Sequence, residues 1–149
     1  MQDYQLALEY YNKALSIREK RLGSEHPLTA ISYGNIGSYY IDLNNYDIAL
    51  EYYFKTLAIQ EKVLGTGHPD TATTYNNIGW CYYNLGYIYN ALEYFCMSMV
   101  VREVAWGVEH HLTATSYSHI GLCCSKLGNY DEAEDYILKA LYLREELVK

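Results

Sequence analysis

The chain has 149 residues, half of them hydrophobic, and a formal net charge of −7 at pH 7. This acidic balance excludes nucleic acid and anionic membrane surfaces as expected partners, because both are bound through an excess of Lys and Arg. No apolar run approaches the ~20 residues of a transmembrane helix, and the first residues lack the basic and apolar regions of a signal peptide. We therefore expect a cytoplasmic protein.

A helix without a partner helix is predicted at the start of the chain. Within residues 4–22, Ala7, Tyr11, Ala14 and Leu15 fall at the three- and four-residue steps of a helix. The same spacing of small and large residues returns in the second half of each later repeat. Residues 1–22 are therefore predicted to be an orphan second helix.

Three copies of one pattern follow, at 26–64, 68–106 and 110–148, with a spacing of 42 residues. The segment GSEHP at 23–27 returns as GTGHP at 65–69 and, altered, as GVEHH at 107–111. The pair Ile36-Gly37 returns as Ile78-Gly79 and Ile120-Gly121. A fixed period of this length indicates a solenoid, in which each unit buries its apolar face only against its neighbours.

Each repeat is predicted to fold as two antiparallel helices. In the middle copy the first helix runs from Pro69 to about Leu85, and the second from Tyr89 to about Val104. Asn44, Gly86 and Gly128 follow the first helices, and these residue types tolerate the left-handed conformation that ends a helix. Second helices pair small and large residues at packing positions: Ala49, Tyr53, Thr56 and Leu57; Ala91, Phe95, Ser98 and Met99; Ala133, Ile137, Ala140 and Leu141. The prediction is an all-α chain of about seven helices.

These residues carry a resemblance to a known family. An Ile-Gly pair, an aromatic three residues on, an Ala twelve after the Gly, an aromatic four further and then a small residue resemble the tetratricopeptide repeat (TPR). The 42-residue period, with Leu-Gly-x-x-His-Pro between units, resembles the kinesin light chain and nephrocystin-type variant. The resemblance covers 1–149 as a single array segment and implies a right-handed α-solenoid, or TPR-like superhelix. It departs from the pattern at Tyr87-Ile88, His111 and Cys124.

The resemblance also implies that first helices line a concave groove and that second helices form the back. Residues 28–43, 70–85 and 112–127 carry only three charged side chains, Asp42, Asp70 and Lys126. Asparagine both donates and accepts hydrogen bonds, which suits a peptide backbone, and Trp80 with Tyr83 would supply an apolar anchor. The predicted peptide-binding groove consists of Asn35, Ser38, Asn76, Asn77, Trp80, Tyr83, Ser118 and His119. In several relatives, asparagines at the positions of Asn35 and Asn77 contact peptides.

Each of these residues has a structural alternative. Asn35 and Asn77 would equally serve as hydrogen bonds between neighbouring helices, and Trp80 as packing at a helix interface. For His119 we expect a solvated side chain rather than a pH-sensitive contact. His26, His68 and His110 recur at one turn, so we expect a structural role for them.

The four cysteines are predicted to be reduced and buried. They occupy positions that apolar residues hold in other repeats, as a free thiol in a core does. A zinc site around Cys123-Cys124, His110-His111 and His119 is disfavoured, because adjacent cysteines on a helix point about 100° apart and no Cys-x-x-Cys pair is present. No metal and no cofactor is expected.

The leading functional hypothesis is a non-catalytic scaffold that binds a peptide segment in its groove. The scarcity of charge predicts a ligand that is neutral to mildly basic with an apolar anchor. An enzyme is disfavoured, because no nucleophile–base motif or phosphate-binding loop is present. The alternative is a self-associating adaptor that stacks end to end as a homo-oligomer, since solenoid ends without polar caps expose apolar residues. The apolar residues expected to be exposed at the last helix are Ile137, Leu138, Leu141, Leu143 and Leu147. We expect the chain to be a segment of a longer array.

Overall fold

The computed structural model describes the backbone of residues 2–146 and the side chains of residues 5–145, so Leu147 lies outside the described residues. Within that range the chain is all-α, which confirms the predicted fold class and the number of helices. The seven helices are α1 (Gln2–Leu22), α2 (Pro27–Asp42), α3 (Tyr46–Val63), α4 (Pro69–Asn84), α5 (Ile88–Trp106), α6 (His111–Lys126) and α7 (Tyr130–Glu146).

A histidine side chain caps the start of each first helix. The Nδ1 atoms of His26, His68 and His110 accept hydrogen bonds from the backbone N–H groups two residues later, at 3.1, 3.1 and 3.2 Å. Each bond satisfies one of the backbone donors that a helix N-terminus leaves without a partner. The structural role predicted for these histidines is therefore confirmed, although the sequence did not reveal that they are the caps.

The turns between paired helices adopt the predicted left-handed conformation. Asn44, Gly86 and Gly128 have φ angles of 56°, 86° and 84°. The next helix starts differently in two of the repeats. Asn45 caps α3 by accepting from the Ile48 N–H at 3.5 Å, whereas Tyr87 makes no side-chain cap for α5. The departure at Tyr87 therefore removes one cap and leaves the helix in place.

The chain divides into two compact units, Met1–Gly65 and Thr66–Lys149. In unit 1, α2 packs against both α1 and α3. Its core contains Ala30, Tyr33 and Ile59, with Leu15 and Tyr52 packed beside them. The orphan helix α1 thus has its apolar face against the first helix that follows, as a second helix does in a solenoid.

In unit 2, α5 packs against α4 and α6, and α6 packs against α7. One core cluster surrounds Phe95 and Ile120 and includes Cys123 and Cys124. All four cysteines are free; Cys81, Cys123 and Cys124 are buried, whereas Cys96 is half-buried. Burial raises the pKa of the Cys81 and Cys123 thiols to about 12. The predicted buried thiols are thus confirmed for three of the four.

The repeated Ile-Gly pair has a packing cause. A Cβ atom built on Gly37 or Gly79 would lie 3.0 Å from the Tyr53 ring or 2.8 Å from the Phe95 ring. At Gly121 it would lie 2.8 Å from the Ile137 side chain. Real Cβ atoms essentially never show contacts under 3.0 Å and seldom show one as short as that at Gly37. The large second-helix side chain therefore packs closely because the first helix has no side chain at this position.

Within each unit an arginine joins a second helix to the first helix that follows it. Arg102 Nη1 donates to the Leu112 carbonyl and to Ser116 Oγ, both at 2.9 Å. The half-buried Arg18, at the same repeat position in unit 1, donates to the Leu28 carbonyl at 2.9 Å and to Ser32 Oγ at 2.8 Å. Burial lowers the pKa of Arg102 to about 10, so it stays charged at pH 7. The sequence reasoning missed this link.

The apolar exposure predicted for the last helix is confirmed for Ile137, Leu138 and Leu141 and is wrong for Leu143. Ile137, Leu138 and Leu141 are 37%, 55% and 48% exposed, although Ile137 and Leu141 also occupy packing positions of a second helix. Leu143, expected on the exposed face, is buried beside Ala114 and Tyr117. Within the described residues no helix follows α7, so only the side of α7 that faces α6 has something to pack against.

Candidate peptide-binding surface

In unit 1 the two predicted groove residues lie exposed on α2. Ser38 Oγ is 2.8 Å from the Tyr53 hydroxyl, so its polar group is already used between the paired helices. The Asn35 amide forms no hydrogen bond with the described part of the chain. Asn35 is therefore accessible to a ligand, whereas Ser38 has an internal partner.

In unit 2 the predicted anchor is a stacked pair of aromatic rings on α4. Trp80 and Tyr83 are both half-buried, with ring centroids 5.7 Å apart and planes inclined by 11°. Both pack against the core cluster around Phe95 and Ile120. Their positions one turn apart on the helix bring the rings together. Trp80 and Tyr83 therefore pack on the core on one side and leave part of their surface accessible.

His119 lies between α4 and α6, and the expected solvated histidine is wrong. Its Nδ1–H donates to Asn76 Oδ1 at 2.9 Å. Its ring centroid lies 5.4 Å from that of Trp80 and 4.7 Å from that of Phe95. The 42-residue period makes His119 equivalent to Asn77. However, its hydrogen-bond partner on the preceding first helix is Asn76, one residue before that equivalent position. A search for pairs 43 residues apart, rather than 42, would have found this bond.

The environment of His119 keeps it uncharged near pH 7. Burial lowers the pKa of His119 to about 4, and the charges of Arg102 and Arg144 add to this effect. The imidazole therefore stays neutral across the physiological range. As a result, neither member of the Asn76–His119 hydrogen bond carries a charge.

The remaining two predicted residues differ in what they offer a ligand. Asn77 is half-buried, and its side chain has no hydrogen-bond partner within the described range. Ser118 Oγ donates to the Ala114 carbonyl at 3.2 Å, one turn back in α6. Asn76, and not Asn77, makes the hydrogen bond between two first helices. The Ser118 hydroxyl is occupied within its own helix.

We name the residues Asn76, Asn77, Trp80, Tyr83, Ser118 and His119 the α4–α6 face. The charged residues of the two helices lie away from its centre, Asp70 in the first turn of α4 and Lys126 in the last turn of α6. An apolar side chain could pack on the exposed part of the Trp80–Tyr83 pair while Asn77 bonds a backbone amide. In the described residues no cluster of three or more His, Cys, Asp or Glu side chains could hold a metal ion.

The family model described as tetratricopeptide repeat matches residues 1–62, 40–99 and 84–146. No curated protein matches the chain. None of the described helices has the length and apolar character needed to cross a membrane.

Solved structures share the fold at low sequence identity. BtubC (BKLC) from P. vanneervenii matches with a TM-score of 0.89 and 20% identity over 98% of this chain and 58% of its own. A crystal structure of a variant of a Podosopora anserina putative kinesin light chain, whose TPR-like repeats are nearly identical to one another, matches with a TM-score of 0.78 and 22% identity. The match covers 97% of this chain and 68% of that one. The apo form of RapI matches with a TM-score of 0.84 and 23% identity over 98% and 51%. The chain thus spans little more than half of BtubC and RapI.

Proposed function

Because the chain belongs to the tetratricopeptide repeat family, whose repeats generally mediate protein–protein interaction, we propose that it is a non-catalytic scaffold that binds a peptide segment through its first helices. The candidate surface in unit 2 is the α4–α6 face, and the candidate contact in unit 1 is Asn35 on α2. The cytoplasmic location expected from the sequence stays a prediction.

The observation that carries this proposal is the half-buried Trp80–Tyr83 pair. Large aromatic side chains that are fixed by packing and partly accessible lose little entropy on binding, and they dominate the energy of many interfaces. Around them lie the uncharged Asn76–His119 pair and the Asn77 amide, which has no hydrogen-bond partner among the described residues. Such a surface favours an apolar anchor followed by backbone hydrogen bonds, in a peptide that is neutral to mildly basic.

The proposal is tested with peptides selected by phage display on the immobilised protein, with dissociation constants from fluorescence anisotropy. Asn35→Ala/Asn77→Ala is expected to abolish binding, because it removes two accessible amides. Trp80→Ala is expected to weaken binding by at least roughly tenfold, about 1.4 kcal/mol. Circular dichroism should show unchanged helicity.

Tyr89→Ala is the matched control, since Tyr89 lies on α5 outside the α4–α6 face and is 76% exposed. It should bind as the unaltered protein does. Unchanged affinity in the double asparagine variant would remove those residues from the site. Unchanged affinity in Trp80→Ala as well would refute the proposed surface.

The exposed apolar residues of α1 and α7 favour a second candidate function, a self-associating adaptor. Leu6 and Tyr10 on α1 are 51% and 61% exposed, and Leu138 and Tyr142 on α7 are 55% and 62% exposed. Stacking of one copy on another would bury them. Sedimentation over a concentration series tests this candidate, and a monomer at every concentration would contradict it.

A further inference from the structure

A pocket of about 620 Å³ lies on another side of unit 2, along α5. Its lining includes Tyr75 on α4 and Glu93, Met97, Val100 and Val104 on α5. None of these residues belongs to the α4–α6 face. The pocket is therefore a separate surface, and a proposal about it is independent of the proposed peptide site.

The lining residues depart from the other repeats in one respect. Met97 and Val104 stand where the other second helices carry charge: Lys13, Lys55 and Lys139 correspond to Met97, and Lys20, Lys62 and Glu146 correspond to Val104. Val100 corresponds to Ser16, Ala58 and Tyr142. We name Met97, Val100 and Val104 the α5 patch. Of its members Val100 is 54% exposed and Val104 is 85% exposed.

Lysines at the Met97 position cover a core tyrosine in the repeats on both sides. Lys55 Nζ lies 5.7 Å from the centre of the Tyr33 ring, and Lys139 Nζ lies 4.0 Å from that of Tyr117. The corresponding tyrosine, Tyr75, lines the pocket together with Met97. Replacing the lysine by methionine therefore turns a charged, hydrated position into an adaptable apolar wall.

The α5 patch has the spacing of a helix-packing seam. Its residues lie at i, i+3 and i+7, the alternation of three and four residues by which two helices interlock. The seam extends for about 10 Å along α5, or two turns. An extended strand would present apolar side chains every second residue and would not match this spacing. The geometry therefore fits an amphipathic helix.

The charge at the pocket points to a basic partner. Glu93 lines the pocket at one end of the seam. The one cation on α5, Arg102, is 2% exposed and bonded to α6, so it cannot balance this carboxylate at the surface. A second copy of the chain would bring the same uncompensated Glu93 to the contact. A helix with Lys or Arg beside its apolar stripe would instead complement it.

We propose that the α5 patch is a second docking site, which binds an amphipathic helix of a partner protein through apolar side chains at i, i+3 and i+7 and a basic residue paired with Glu93. This recognition is of the helix-in-groove kind. It would let one chain hold two different segments, one on the first helices and one on α5.

The test uses two fluorescein-labelled synthetic peptides of about 18 residues. Both carry Leu at the seam spacing, and they differ in having either Lys or Glu beside the stripe. Anisotropy should give a dissociation constant in the micromolar range for the Lys peptide and one at least roughly tenfold weaker for the Glu peptide. Amide chemical-shift changes on binding should centre on Met97, Val100 and Val104.

Met97→Lys/Val104→Lys restores the lysines of other repeats, so the variant should fold, as circular dichroism and Tm would show. It should weaken binding of the Lys peptide at least roughly tenfold. Tyr89→Lys adds a charge on α5 outside the pocket and should have little effect. Glu93→Lys should weaken the Lys peptide and strengthen the Glu peptide.

Several outcomes would overturn the proposal. Equal affinity for both peptides would show that the partner need not be basic. Unchanged affinity in Met97→Lys/Val104→Lys would show that the α5 patch is not the binding site. Loss of Lys-peptide binding in Trp80→Ala would place the peptide on the α4–α6 face instead. A concentration-dependent dimer that Met97→Lys/Val104→Lys abolishes would show that a second copy covers the patch.

Discussion

His119 determines the charge state of the α4–α6 face. Its ring lies against Trp80 and Phe95, and its Nδ1–H is donated to Asn76. Protonation would charge a ring that is largely removed from water, next to the field of Arg102 and Arg144. The imidazole therefore remains a neutral spacer between two first helices, and it contributes shape and one hydrogen bond.

The stability of the folded chain should depend on pH through His119. Its pKa is about 4 in the folded state, below the ~6.5 of an unfolded chain. Between these values the unfolded state binds more protons, so the free energy of unfolding should fall as pH drops from 6.5 to 4. The loss is expected to be roughly 1–3 kcal/mol, and the contribution is fully present above pH 6.5.

Denaturant unfolding at several pH values measures this contribution. His119→Asn introduces the asparagine that the other two repeats carry at this position, as Asn35 and Asn77, and it removes the titrating group. The pH dependence of its unfolding free energy should therefore be shallower over this window, even if its stability at pH 7 is lower. Identical pH dependence in the two proteins would contradict the prediction.

At the scale of the helix pair, the fold depends on the contact between a glycine and a large side chain. Gly79 lets the Phe95 ring approach the backbone of α4, and Gly37 does the same for the Tyr53 ring. A helical glycine ordinarily costs about 1 kcal/mol relative to alanine. Here that cost is offset by close packing of a buried ring.

Gly79→Ala should therefore destabilise the protein instead of stabilising it. The added Cβ would lie 2.8 Å from the Phe95 ring, which is buried and cannot move away freely. Overpacking of this kind costs about 1–3 kcal/mol. Chemical denaturation followed by circular dichroism gives the change in the free energy of unfolding.

Gly34→Ala provides the matched control. Its Cβ would meet the Thr56 side chain at 3.7 Å, an ordinary van der Waals distance. This variant should gain up to about 1 kcal/mol from helix propensity. Equal stabilisation by both substitutions would show that the contact between Gly79 and Phe95 is not limiting.

On the scale of the whole molecule, the chain consists of two compact units, Met1–Gly65 and Thr66–Lys149. In repeat proteins the stability is close to a sum of contributions from units and from the interfaces between neighbours. Long arrays can therefore depart from all-or-none unfolding. The position of the tryptophans makes this testable, because Trp80 and Trp106 are the only two and both belong to unit 2.

We predict that unfolding followed by tryptophan fluorescence and by circular dichroism will not coincide. Fluorescence reports unit 2, whereas circular dichroism reports the helices of both units. Phe54→Trp in a Trp80→Phe/Trp106→Phe background moves the reporter to unit 1 and should give a different midpoint. Superimposable transitions for all three signals would contradict the prediction and indicate a single cooperative unit.

Much of the fold followed from periodicity. Helices, their left-handed ends at Asn44, Gly86 and Gly128, and the buried column of Ile36, Ile78 and Ile120 depend on local geometry that repeats with the sequence. The candidate site was less predictable. The residues of the site could be listed from their positions in the repeat, but the hydrogen bond between Asn76 and His119 joins positions that are not equivalent in the two repeats. A comparison of equivalent positions cannot reveal such a contact.

The sequence by itself determined the helix pairs and the scarcity of charge on the first helices, because both follow from residue type at a fixed spacing. Only the tertiary structure decided which polar groups are already used, such as Ser38, and which half-buried rings stay accessible, such as Trp80. It also showed that Met97 and Val104 border an open pocket. The physical reason is that burial and hydrogen bonding depend on neighbours brought together by packing, whereas helix formation depends on neighbours along the chain.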